Sequence, residues 1–140
     1  MIDYWDKISQ MKLEKPMSVD EIYTLEKELH FTFPEQYKRF LLLHNGGEGP
    51  VGEYGYIAIF GSEELISSNG EDKINDYHPE LFYFASDRGG MIYAFDTSAD
   101  QNPIVELPCD SIDNDDVEIV AENFKDFISY IHDIDDSEFE

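Results

Sequence analysis

One cysteine, Cys109, is all the chain has, so an internal disulfide is impossible and no Cys/His quartet for structural zinc can form. Long apolar runs are missing too: nothing approaches the ~20 residues that a membrane-spanning helix needs. The opening Met1-Ile2-Asp3-Tyr4-Trp5-Asp6 has early acids and no apolar stretch of the secretory kind, and no N-x-[ST] glycosylation acceptor occurs. A reducing, cytoplasmic setting is therefore expected. Base is the scarcest resource. Nine Lys and Arg face 32 Asp and Glu, for a net charge of −23. Binding to phosphate backbones or anionic lipid needs clustered Lys or Arg that displace counterions, so nucleic acid and membrane are excluded as partners. A field of this sign attracts cationic surfaces instead.

The imbalance grows along the chain. Residues 1–50 carry nine acids and six bases, 51–100 carry ten and two, and 101–140 carry thirteen and one. Aromatic content of 14% nevertheless lies far from disordered composition, and 140 residues suffice for one domain with a core of its own. The expectation is a single α+β domain over 1–132 followed by an acidic tail over 133–140.

Local signals fill in that outline. Ile2, Trp5 and Ile8 fall at helical spacing, and Pro16 ends that first element. Ser18-Val19-Asp20-Glu21 has the form of a capping box, with Ile22, Leu25 and Leu29 as one apolar stripe behind it. Pro34 suits the first turn of a second helix whose buried face is Tyr37, Phe40 and Leu41, with Asn45-Gly46-Gly47 as its stop. Tyr54 to Phe60 reads as a strand. Glu63 to Ser68 reads as a turn or two of helix. Leu81–Ala85 and Met91–Phe95 flank Ser86-Asp87-Arg88-Gly89-Gly90, a hairpin with a glycine turn. Ile104 to Leu107 makes a further strand, Ser111 to Asp116 an acidic loop, and Phe124, Phe127, Ile128 and Ile131 a C-terminal amphipathic helix. Helices, a mostly antiparallel or mixed sheet, then a helix on the sheet define the class.

Three stretches share an order and spacing with a known group. They are Glu21-Ile22…Leu25-Glu26…Leu29…Phe33-Pro34…Tyr37…Phe40-Leu41…Asn45-Gly46-Gly47, the hairpin from Asp87 to Asp96, and Asn102-Pro103-Ile104-Val105-Glu106 with Ala121-Glu122-Asn123-Phe124-Lys125-Asp126-Phe127-Ile128. Together they resemble the SUKH superfamily, the Smi/Knr-type group that includes many bacterial immunity proteins. His30 stands where that family often has Gly, and Phe33 where it usually has Leu. The resemblance implies a non-catalytic domain without a cofactor that binds a cognate protein, often a toxin, which in many bacterial members is a nuclease or another intoxicating enzyme. It equally fits an interaction or scaffold module with no toxin partner.

Residue chemistry points the same way. Acids in expected loops are the candidate contacts with a basic protein: Glu48, Glu53, Asp110, Asp113, Asp115 and Asp116. Gly47-Glu48-Gly49-Pro50-Val51-Gly52 spells a dinucleotide fingerprint, but it follows a helix, Pro50 has no amide, and Glu48 would repel phosphate. Counted from Asp113, a calcium loop would put Val117 at a ligand position and Glu118 where glycine belongs, so the register fails. Cys109 lies beside Asp110, which disfavours a thiolate nucleophile. The four histidines match no metal-ligand spacing, and no catalytic or metal residue is assigned. Arg88, a lone base in an acidic half, is expected to pair internally.

Overall fold

The computed structural model describes residues 5–70, 78–111 and 113–134, and omits the side chains of Trp5, Asp6 and Asn114. In chain order the elements are a 3-10 turn (Trp5–Ile8), β1 (Lys12–Leu13), α1 (Val19–Leu29), α2 (Glu35–Leu43), β2 (Gly47–Val51) and β3 (Gly55–Ile59). Then come α3 (Ser62–Asn69), β4 (Leu81–Ser86), β5 (Met91–Asp96), β6 (Ile104–Pro108), a 3-10 turn (Asn114–Asp116), β7 (Glu118–Ala121) and α4 (Phe124–His132). The strands form one seven-stranded sheet in sequence order, every neighbouring pair antiparallel. This is the expected α+β class with the C-terminal helix on the sheet.

Helix α1 starts as its sequence dictates. The Glu21 N–H donates to Ser18 Oγ and the Ser18 N–H to Glu21 Oε1, both at 3.1 Å, which satisfies two otherwise orphaned donors. Ile22, Leu25 and Leu29 are its buried stripe. The helix ends on His30 at φ 57, a left-handed conformation that costs a non-glycine residue about 1 kcal/mol. Glu26 then joins the two helices: its carboxylate accepts the Phe33 N–H at 2.7 Å and lies 3.1 Å from Lys38 Nζ. Pro34 is the N-cap of α2, one residue earlier than expected, and its ring-fixed φ of −56 directs the chain into the helix.

An aromatic cluster forms the centre of the core. Tyr37, Phe84, Phe95, Phe124 and Phe127 are all buried, with Phe84 stacked on Phe95 at 4.4 Å and edge-on to Phe127 at 5.2 Å. Phe84 is the extra residue of a β-bulge between Tyr83 and Ala85, and the bulge lets a residue of this strand join the helix-covered face. Phe33 is buried against Tyr37 and Phe82, so the larger residue at this position extends the cluster. On the opposite side Asn69, at the end of α3, grips β4: its Oδ1 accepts the Tyr83 N–H and its Nδ2 donates to the Tyr83 carbonyl, both at 2.7 Å.

Several expectations need correction. The N-terminal helix is a 3-10 turn, with Ile8 buried; Met1 to Tyr4 lie outside the described residues. Helix α2 stops at Leu43 with His44 extended, and the glycines beyond it open a strand rather than a cap. That strand, β2, has almost no β-formers. It exists because Gly49 lets the N-terminal segment pass: a Cβ there would lie 2.7 Å from Met11 Cα. Strands β1 and β7 were likewise unforeseen. Of the expected tail over 133–140, the Asp133 N–H donates to the Ser129 carbonyl and Ile134 packs against the core, while 135–140 lie outside the described residues.

Candidate docking surface

In an antiparallel meander alternate connections emerge at the same end, so β2–β3, β4–β5 and β6–β7 share one rim. Glu53 stands on the first of these, Arg88 on the second, and Asp110, Asp113, Asp115 and Asp116 on the third. From β3 to β6 is three strand spacings, roughly 14 Å at about 4.8 Å each, so Glu53 and the aspartates do not form one cluster. Glu48 is not in a loop at all. It lies within β2, paired opposite Ala58.

Glu48 belongs to a cleft of about 310 Å³ lined also by Glu14, Glu63, Glu64 and Arg88. The hairpin turn aims the arginine. Asp87 Oδ1 accepts the N–H groups of Gly89 and Met91 at 2.7 and 3.0 Å, and Ser86 Oγ accepts that of Arg88 at 2.9 Å. The guanidinium makes two 3.1 Å bonds to Glu64 and a 3.4 Å bond to Glu48. Tyr56 Oη donates to the other Glu48 oxygen at 2.7 Å. The Tyr56 hydrogen bond, helped by Arg88 and opposed by desolvation, holds the Glu48 carboxyl below the usual range. The hydrogen bond from Arg88 to Glu64 raises the Arg88 pKa in turn. The internal ion pair expected of Arg88 is thus present, and it commits Glu48 to the fold.

The β6–β7 connection is built differently. Ser111 is buried beneath it, its Oγ 3.0 Å from Nε2 of the fully buried His78. Ser111 Oγ also lies 3.1 Å from the Asp113 carbonyl and 3.1 Å from Asp116 Oδ2, and the Asp115 N–H donates to Asp113 Oδ1 at 2.9 Å. A buried post thus fixes a loop whose Asp110, Asp113, Asp115 and Asp116 are exposed. Among the described residues no Lys or Arg ion-pairs with these four. Sequence reasoning names the aspartates as candidate contacts but does not reveal the post, because neither His78 nor Ser111 carries a signal for the other. It also missed Glu14, Glu63, Glu64 and Tyr56; only the search of Arg88 for a carboxylate hinted at them.

The model of the SMI1 / KNR4 family (SUKH-1) matches residues 16–130, from just before α1 to the last turn of α4. The chain belongs to the SMI1/KNR4 family. A similar sequence is the "Uncharacterized protein YnaB" of Bacillus subtilis (strain 168), 36% identical over 100 residues, which cover 71% of this chain and 64% of that protein. For a SUKH-1 domain the two acidic sites differ in kind: one is closed on an internal arginine, the other is open. No helix among the described residues is long and apolar enough to cross a membrane.

Proposed function

We propose that this SUKH-1 domain is a non-catalytic immunity protein of the cytoplasm that neutralises a cognate basic toxin domain through its acidic rim. The observation that carries the reading is the β6–β7 loop, hydrogen-bonded through the buried Ser111 to His78, with four exposed aspartates and no described cation paired to them. A rigid charged surface costs little ordering entropy on binding and steers an oppositely charged partner. A toxin that cuts nucleic acid fits well, because such an enzyme is basic where it holds phosphate, and covering that patch removes its activity. Glu53, at the β2–β3 tip of the same rim, supplies a second point of contact, while Glu48 is placed with the fold. In the Arg88 cleft two carboxylates share one guanidinium, which offsets one of their two charges and holds both in fixed ion pairs, an arrangement that suits structure rather than proton transfer.

Co-expression tests this directly. Cells carrying the toxin encoded beside this gene survive with the intact chain. They die with a variant in which Asp110, Asp113, Asp115 and Asp116 are all changed to Lys. Full protection by that variant, folded and at equal abundance, would sink the reading.

A further inference from the structure

The last strand offers something the charge pattern alone does not. Strand β7 pairs with β6 on one side, and among the described residues no strand lies on the other. Such an edge presents backbone donors and acceptors to any extended chain, and proteins commonly guard it with Lys or Pro. Glu118-Ile119-Val120-Ala121 contains neither. Instead Ile119, at 68% exposure, shares the highest exposure among the large apolar side chains, and it stands on this edge. The opposite edge, β1, is two residues long and carries Lys12.

Beside β7 lies a cleft of about 660 Å³. Ile119 and the half-buried Pro34 and Pro103 form its apolar part, with the buried Phe95 and Phe124 behind them, and Gln36, Gln101 and Asn123 bring carboxamides to it. The cleft is preformed, because the Lys125 N–H donates to Gln36 Oε1 at 2.8 Å and so ties the start of α4 to α2. Asp100 and Glu122 line it and Glu118 adjoins Ile119 in sequence, while Glu35 is paired with Arg39 at 2.7 Å.

We propose that β7 and this cleft receive an extended, Lys- or Arg-bearing segment of the partner protein, which adds to the sheet beyond β7. Charge selects that occupant. A second copy of this chain would bring its own −23 against Asp100, Glu118 and Glu122, whereas a basic strand gains main-chain bonds, an apolar contact on Ile119 and carboxylates for its cations. The bulge at Val120 confines regular pairing to a short stretch, so the added strand is short. This inference rests on the reading that the partner is cationic, but it names a place and a backbone mode that the reading does not require.

The test uses the full chain, isotope-labelled, and two synthetic probes: an alternating Lys–Val octapeptide and the same peptide N-methylated at every second residue, which removes the donors of one edge. The plain peptide should shift the backbone amides of 117–122 and 100–102. N-methylation and Ile119→Lys should each weaken it by about tenfold. Ile119 is exposed enough for the variant to fold, which its unchanged amide spectrum elsewhere would show. Changing the four rim aspartates to Asn should weaken the plain peptide by no more than about threefold, as expected for remote charge. Equal binding of both peptides, failure of both to bind, or shifts confined to Glu53 and the Asp110–Asp116 loop would overturn strand addition. The last outcome would leave the acidic-rim reading standing, and toxin protection tests that reading independently.

Discussion

Glu48 and Asp115 are both exposed-side carboxylates in an acidic protein, yet the fold treats them oppositely. Glu48 is held by Tyr56 and by Arg88, whose guanidinium also takes both oxygens of Glu64. Asp115 belongs to a loop whose polar bonds are to backbone and to a buried serine, with no described cation. The difference teaches that net charge is not a surface property until internal counter-charges are subtracted. Arg88 is the last Arg in the chain, and it is used up at the β2–β4 side of the sheet. The β6–β7 side therefore keeps its field.

The largest way to disturb this contrast is through backbone. Gly52, at φ 77 beside Glu53, faces the end of α4: a Cβ there would lie 2.3 Å from the His132 carbonyl oxygen. Gly52→Ala should cost roughly 3 kcal/mol, overpacking added to a left-handed residue, as read by urea denaturation. Next is the post beneath the aspartates. Ser111→Ala removes the bonds to His78 and Asp116 and should cost about 1–3 kcal/mol in the same assay. It should also accelerate amide exchange in 113–116 while leaving the Arg88 turn unchanged.

Arg88→Gln should cost under about 1 kcal/mol, because its pairs are solvent-exposed. Its readout is electrostatic. Since the Tyr56 hydrogen bond is the first cause of the depressed Glu48 titration, Tyr56→Phe should raise that midpoint further than Arg88→Gln does, by NMR titration. Glu106 gives the opposite sign. Burial raises its carboxyl, against hydrogen bonds from Tyr130 and Tyr93. The native state therefore binds this proton more tightly than the unfolded chain. Its contribution is present in acid and is lost as pH climbs through the folded midpoint, whereas that of Glu48 is lost as pH falls through its depressed one. Glu106→Gln should accordingly stabilise at neutral pH and flatten the profile just above the unfolded carboxylate range. Smallest of all, moderate salt should raise the melting temperature by screening repulsion beyond about 8–10 Å.

Helices α1, α2 and α4 and the β4–β5 hairpin were legible because each couples a period to a stop: a capping box, a Pro, a glycine turn. Strands β1, β2 and β7 were not. Gly-Glu-Gly-Pro-Val has no strand period, and only the approach of Met11 to Gly49 makes it one. Glu118-Ile119-Val120-Ala121 follows a run of acids and is too short to show alternation. At the surface, the aspartates between β6 and β7 read correctly as an exposed loop. Glu48 was misplaced because its glycine neighbours imitate one. That Arg88 would pair internally followed from its acidic surroundings, but Glu64 and Glu48 lie 24 and 40 residues away, beyond any local signal.

The most direct test of the open-rim account is the rate at which the proposed cationic partner, such as a toxin domain captured by this chain, associates with it across ionic strength. Intact chain is compared with a variant carrying Asp110→Asn, Asp113→Asn, Asp115→Asn and Asp116→Asn, which keeps the side-chain acceptors of the loop. The account predicts a steep fall of the intact chain's rate with salt and a slower, much flatter rate for the variant, with Arg88→Gln behaving like the intact chain. Identical salt slopes for intact chain and variant would contradict it.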